Sequence, residues 1–255
     1  MQSSTGSDLL AALDLPEGCR VDQRVPKKLL LENGAPTAAD KRLINDGIEE
    51  LLWLATLKPT TIGVPEYRDA VREYLEIAVV RLTLRDGAKT TRLVELVHRA
   101  VPYPLLLLTE RGERPELSAA HIRWSLGETA TTVLDGDVVS TDCYSAQDDK
   151  VWSGFRVALA VGKQPHTTLY SMYQGWIDTL LALRAARVTG VFTLAANPEL
   201  AAARRVALQE CARLDAEVAR LRSAAAKEKQ IARRVEMNLE LKRVEEAKVA
   251  ASAYL

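Results

Sequence analysis

PELAAARRVALQECARLDAEVARLRSAAAKEKQIARRVEMNLELKRVEEAKVAA, Pro198 to Ala251, contains no glycine and no proline after its first residue. Ala, Leu, Glu, Lys and Arg dominate it, and these lose little rotamer freedom in a helix. Asn197 stands where a side-chain oxygen caps the first turn, and Pro198 where a missing N–H is tolerated. The stretch reads as one helix, roughly 80 Å long at ~1.5 Å rise per residue. Cys211, Leu214, Val218 and Leu221 recur at spacings of three and four, which is a coiled-coil seam. The seam weakens at Ala225 and Glu228. It resumes in a shifted phase through Ile231, Val235 and Asn238, with Leu239 and Leu241 beside it. Such a break alters supercoiling locally and lets a helix change partner. One compact domain cannot bury a rod of that length, so the expectation is an arm that docks on another protein or on a second copy. Its contact residues are expected to be Leu214, Val218, Leu221, Ile231, Val235 and Asn238.

Upstream of the arm, residues 1–195 read as an α+β domain: a mainly antiparallel sheet with packed helices. Short helices are expected at Asp8–Leu15 and Lys27–Glu32. A longer one is expected over Ala38–Ala55, where Leu43, Ile44, Ile48, Leu51, Leu52 and Leu54 recur at helical spacing. In EIAVVRLTLR (76–85), Val80, Leu82 and Leu84 alternate with Arg81, Thr83 and Arg85, the period of a strand. Thr90–Ala100 is an amphipathic helix closed by Pro102 and Pro104. Leu105–Leu108 reads as a strand buried on both faces. Asp135-Gly136 lies between the apolar runs Glu128–Leu134 and Val138–Tyr144, a hairpin signal. Pro165–Val188 is a further helix. With Glu116–Trp124 returning after the Arg111-Gly112 turn, about five strands follow from this reading, and residues 196–255 form the helical arm.

Composition limits the function classes. Formal charge balances at zero, 34 basic against 34 acidic side chains, which gives no global pull toward nucleic acid or anionic lipid. Cys19, Cys143 and Cys211 are isolated and form no CxxC pair, consistent with reduced thiols. The opening residues lack the basic region and long apolar core of a signal peptide, so none is expected, and no apolar run reaches the length of a membrane span. A cytoplasmic protein is expected. No phosphate-binding loop, dinucleotide fingerprint, HExxH or GxSxG occurs, so neither a cofactor nor a catalytic set is expected. His98, His121 and His166 fall on separate elements. A metal nuclease of the Asp…Glu-x-Lys type needs carboxylates and a lysine on one strand. Glu76 is present, but Ala78 stands where the lysine would be, and Asp135, Asp137 and Asp142 are the remaining carboxylates for a metal. Lys27, Lys28, Lys41 and Arg42 form a basic cluster that could meet phosphates.

Several segments together resemble one uncharacterised bacterial family, numbered 4391 among the domains of unknown function. They are VPKKLLLENG (25–34), the run ending in Trp53 followed by LKPTTIGV (57–64), EIAVVRLTL (76–84), RAVPYPLLLLTE (99–110) and KEKQIARRVEMNLELKR (227–243). The resemblance transfers no catalytic residue. It implies a gene setting beside a superfamily-2 helicase and a DNA methyltransferase, in loci like restriction or anti-phage defence systems. It also draws attention to Arg233, Arg234, Asn238 and Lys242 on the arm. The combined expectation is a non-catalytic accessory subunit docking on the helicase or methyltransferase through its arm, with self-association through the same arm as a further possibility. DNA contact would be indirect. The alternatives are a divergent metal-dependent nuclease and a DNA-binding module.

Overall fold

The leucines of LLLLTER are buried from Leu105 to Leu108, as a strand with helices on both sides requires. A computed structural model describes residues 6–127, 131–143 and 150–255. In chain order the elements are α1 (Gly6–Ala12), β1 (Arg20–Arg24), α2 (Lys27–Asn33), α3 (Ala38–Gly47), β2 (Ile48–Leu57), the short α4 (Pro59–Ile62), β3 (Tyr67–Arg68), β4 (Glu73–Tyr74), β5 (Ile77–Leu84) and α5 (Thr90–Ala100). They continue with β6 (Leu105–Arg111), β7 (Arg114–Ala119), β8 (Ile122–Trp124), β9 (Thr132–Leu134), β10 (Val139–Asp142), α6 (Lys150–Leu159), α7 (Leu169–Thr189), α8 (Pro198–Lys227) and α9 (Ile231–Ser252). The chain divides into two compact units after Leu180, within α7. The boundary expected from the sequence, at 195/196, falls past the end of that helix.

The first unit is α+β. Its main sheet has the order β1-β2-β5-β6-β7-β10. Every pairing is antiparallel except β5–β6, which are parallel and joined through α5. One face carries Leu51, Val80, Leu82, Leu84, Leu105 and Leu107, packed with Leu30 of α2, Ile44 of α3, and Leu93, Leu96 and Val97 of α5. The alternate strand positions, Val79, Leu106 and Leu108, are equally buried. Beneath the sheet, Tyr173 of α7 donates to Leu105 O (2.8 Å), and Trp176 Nε1 donates to Leu159 O (2.9 Å). The alternation of Val80, Leu82 and Leu84 and the span of α5 match the sequence expectation.

Three expectations are corrected. The helix expected over Ala38–Ala55 ends at Gly47, and its second half is β2. Gly47 packs so tightly that an added Cβ would lie 2.7 Å from Leu93 Cδ1. From Ile48 onward the chain forms a ladder with β5, Ile48 opposite Leu84 through Leu57 opposite Ile77. Local apolar spacing is overridden by burial in a central strand. Second, Asp135-Gly136 does not close a hairpin. β9 pairs with β8 and β10 pairs with β7, so the chain passes from one sheet to another at this turn. The Asp135 N–H donates to His121 O (2.7 Å), extending the β8–β9 ladder, while the Asp135 carboxylate is held by Arg72 (2.8 Å) and faces Arg123 (3.7 Å). The ends of the two runs flanking this turn, 128–130 and 144, lie outside the described residues. Third, the expected strand count of about five is exceeded, because β1, β2, β3 and β4 precede the first expected strand and the chain over 116–124 divides into β7 and β8.

The second unit corrects the arm. Helix α8 starts as expected, with Asn197 Oδ1 accepting the Leu200 N–H (2.8 Å). It ends at Lys227. Glu228–Gln230 are non-helical, and the Gln230 N–H turns back to the Glu228 carboxylate (2.8 Å). Helix α9 then runs antiparallel to α8: Lys248 meets Asp215 (2.5 Å) and Arg222 meets Glu245 (2.6 Å). The rod of roughly 80 Å is a hairpin whose longer helix measures roughly 45 Å. Folding back covers an apolar stripe of each helix, which a straight rod in water would leave bare.

Candidate interaction surface

The hairpin seam is built from both helices. On α8, Ala207, Cys211, Leu214, Val218, Leu221 and Ala225 are buried, at alternating spacings of four and three. Facing them, Met237, Leu241, Val244, Lys248 and Ala251 of α9 are partly buried, at the same spacing. Burial pushes the Cys211 thiol up from its ordinary range. Arg204 ties the open end: its Nε donates to Leu255 O (3.1 Å) and its Nη1 to Thr193 O (2.7 Å).

This arrangement divides the partner-binding residues expected from the sequence. Leu214, Val218 and Leu221 are shut inside the hairpin and have no surface for another chain, because α9 supplies the covering face. Ile231, Arg233, Arg234, Val235, Asn238 and Lys242 lie on α9, with Ile231 71% and Val235 50% exposed. Leu239 (58%) and Val249 (72%) continue the same bare stripe. Ile231 and Val249 are separated by about five full helical turns and so share an azimuth. Helix α9 thus has two apolar stripes. The bare one keeps the heptad phase of α8, since Val235, Leu239 and Val249 follow Leu221, Val218 and Leu214 by whole heptads, but Lys242 and Glu246 occupy the positions between Leu239 and Val249. The sequence reading placed a phase-shifted seam through Ile231, Val235 and Asn238, which meets this stripe at Ile231 and Val235. The hairpin uses the other one.

More than half of the large apolar side chains that remain exposed among the described residues lie after Leu180. Apart from the α9 stripe they include Val191, Leu194, Leu200 and Tyr254, close in sequence to the groups that Arg204 gathers at the open end.

In the first unit, the basic cluster is split. Lys27 Nζ donates to Ile48 O and to Asn45 O (3.4 Å), and Arg85 Nη1 donates to Asn45 O (2.9 Å) and Asp46 O (3.0 Å). Both cations serve the carbonyl end of α3, where positive charge is favoured. Burial, with Arg85 nearby, lowers the Lys27 pKa. Lys28 pairs with Glu32 (3.6 Å), while Lys41 and Arg42 are exposed on α3. Of the carboxylates considered for a metal, Asp135 is engaged by guanidinium groups as described above. No cluster of three or more metal-ligating side chains occurs among the described residues.

Two polar features of this unit were not foreseen. The Tyr74 hydroxyl donates to His121 Nδ1 (2.5 Å), His121 Nε2–H to Gln174 Oε1 (2.8 Å), and Gln174 Nε2 to Asp178 Oδ1 (2.8 Å). The acceptor at Gln174 sets the imidazole tautomer. Tyr170 stacks between Tyr67 and His121, with ring centroids 4.9 and 5.0 Å away, and Arg72 lies over it at 5.3 Å. Burial raises the Tyr74 pKa, so this hydroxyl stays protonated. The second feature is a cleft of about 490 Å³ between the α2–α3 loop, α5 and β9, with His98, Arg99 and Ile122 among its walls. His98 is buried against Ser118 Oγ (2.9 Å), and desolvation holds its pKa down to about 3, so the ring is neutral. The residues of both features are scattered through the sequence, and no spacing rule joins them.

A family model described as "Domain of unknown function (DUF4391)" matches residues 13–247, nearly the whole chain. The chain belongs to the DUF4391 family. No curated protein and no solved structure matches it. The match extends over both units of this DUF4391 chain and includes the α8–α9 turn and the stripe of α9 as far as Leu239. Among the described residues, no helix is long and apolar enough to cross a membrane.

Proposed function

We propose that this DUF4391 chain is a non-catalytic accessory subunit of a cytoplasmic, bacterial DNA-targeting complex of the restriction-like or anti-phage kind. It docks on a superfamily-2 helicase or a DNA methyltransferase through the unit that contains the α8–α9 hairpin. The observation that carries this reading is the concentration of uncovered apolar side chains in that unit. Apolar groups left in water over such a short segment mark a surface that another polypeptide covers. The engagement of Lys27 by backbone carbonyls and of Asp135 by guanidinium groups favours a scaffold over the nuclease and DNA-binding alternatives. The gene setting implied by the family resemblance supplies the class of partner.

Co-purification tests the reading. A tagged full-length chain co-expressed with the neighbouring helicase and methyltransferase is expected to retain one of them. Removing residues 198–255, or introducing Leu194→Glu together with Leu200→Glu, is expected to release it. Retention of the partner by both variants overturns the proposal.

A further inference from the structure

We propose that the closed end of the α8–α9 hairpin holds duplex DNA by its phosphate backbone, through Lys227, Lys229, Arg233 and Arg234. The distribution of paired charge singles out this end. Arg213, Arg220, Arg222, Lys242, Arg243 and Lys248 each lie within 4.0 Å of a carboxylate of the hairpin itself. Between Arg222 and Lys242, the four cations at the turn are exposed and make no ion pair among the described residues. Two carboxylates share the stretch. Glu228 accepts the Gln230 N–H (2.8 Å), which shapes the turn, and Glu236 follows Arg233 by three residues without pairing to it. Residues 229–236 are exposed without interruption, so the cations stand in water.

Helix geometry identifies the occupant. At ~100° of rotation per residue, Arg233 and Arg234 fall roughly 50° to either side of the direction in which Met237, Leu241 and Val244 meet α8. They therefore flank the turn, beside Lys227 and Lys229. Ile231 and Val235 point more than about 100° away from that direction, so the charge and the bare apolar stripe occupy different faces. A protein partner is recognised around a desolvated apolar centre, and a bilayer takes up an apolar face bordered by cations. The turn offers neither. Cations without an apolar centre suit a phosphate backbone, whose attraction is electrostatic and independent of sequence. A guanidinium group, as on Arg233 and Arg234, can bond one phosphate through two N–H groups at once. The chain as a whole is neutral, so the contact is local and its strength is set by these four side chains. The surface is distinct from the basic cluster of the first unit, where carbonyls engage Lys27. The inference adds a direct hold on DNA to the docking reading, and stands whether or not a helicase docks at the open end.

Fluorescence anisotropy of a labelled DNA duplex of arbitrary sequence, titrated with the full-length chain at about 50 to 200 mM salt, tests the contact. Four neutralised phosphates give log affinity a slope of about −3.6 against log salt. Arg233→Glu combined with Arg234→Glu is expected to lower the affinity at least tenfold, roughly, at low salt and to flatten the slope by about 2. Both positions are exposed and unpaired, so helical circular dichroism should not change. Lys41→Glu combined with Arg42→Glu, on α3, is expected to bind as the wild type does. A wild-type chain that binds no DNA at about 50 mM salt overturns the proposal. So does DNA binding that survives the exchange at Arg233 and Arg234. Displacement of the DNA by polyglutamate, or by phosphatidylserine vesicles, at equal charge concentration would assign the surface to an acidic protein or a membrane and overturns it too. The Arg233→Glu, Arg234→Glu chain is expected to retain its protein partner in co-purification, so failure of the DNA contact and failure of the docking reading are read separately.

Discussion

Truncating one leucine on each stripe of α9 distinguishes the hairpin from the straight rod. Leu241 is partly buried against α8, whereas Leu239, two residues earlier, is 58% exposed. A fully buried leucine truncated to alanine costs about 2–5 kcal/mol, through lost transfer energy and the cavity left behind. A two-helix seam is open at its edges and relaxes more easily than a domain core, so Leu241→Ala should fall near the lower end, about 2 kcal/mol. That corresponds to roughly a 30-fold rise in the opening equilibrium of the hairpin. Leu239→Ala removes a mostly solvated side chain and should cost about 0.5 kcal/mol or less. Hydrogen exchange read by mass spectrometry on the full chain, in dilute protein, reports the difference through the amides from Cys211 to Ala225, because local opening sets their protection. The expected result is a large loss of protection in Leu241→Ala and nearly none in Leu239→Ala. Equal losses, or the reverse order, would refute the assignment of the packed stripe and restore the seam through Val235 and Leu239.

Two further outcomes follow from the first unit. Tyr173→Phe removes a buried hydroxyl that accepts the Ala120 N–H (2.9 Å) and donates to Leu105 O (2.8 Å). Leaving these backbone groups unpaired should cost about 1–3 kcal/mol, visible in urea unfolding as a lower midpoint with the slope unchanged. Asp40, held by Arg92 through two hydrogen bonds (2.8 and 3.0 Å) and by the Thr37 hydroxyl (2.8 Å), has its pKa lowered from the ordinary carboxylate value to about 2. A depressed carboxylate pKa stabilises the fold above its unfolded value, and that contribution is lost as pH falls through the folded pKa. Asp40→Asn should therefore melt at a lower temperature than wild type at neutral pH, and the gap should close between about pH 4 and pH 2. A gap that stays constant across that range would show that the carboxylate charge contributes nothing.

Much of the secondary structure was legible because it is written in short-range periodicity. Val80, Leu82 and Leu84 alternate and lie on the packed face of β5. Leu93, Val94, Leu96 and Val97 mark the buried side of α5, and Leu105–Leu108 announce a strand covered on both faces. Misreadings occurred where two periods coexist or where a distant partner decides. Leu51, Leu52 and Leu54 satisfy a helical spacing, yet they lie in a strand because β5 is there to pair with. Asp135-Gly136 has hairpin chemistry, yet Arg72, far away in sequence, helps draw its carboxylate into a crossing between sheets. The His121 relay and the cleft beside His98 draw on residues from several elements, so no local pattern could have assembled them.

The sequence by itself determined the helical character of residues 198–227 and 231–251 and that α9 carries two apolar stripes, since residues three, four and seven apart share a face in any α-helix. It also determined the α+β character of the remainder. Only the tertiary structure decided that the helix turns back at Glu228–Gln230, and which α9 stripe meets α8. Periodicity identifies the residues that share a face, but it carries no information on which face is covered. That choice goes to the arrangement that buries Met237, Leu241 and Val244 while setting Lys248 against Asp215. The in-phase stripe of Val235, Leu239 and Val249 is left to the solvent side, where a second polypeptide can cover it.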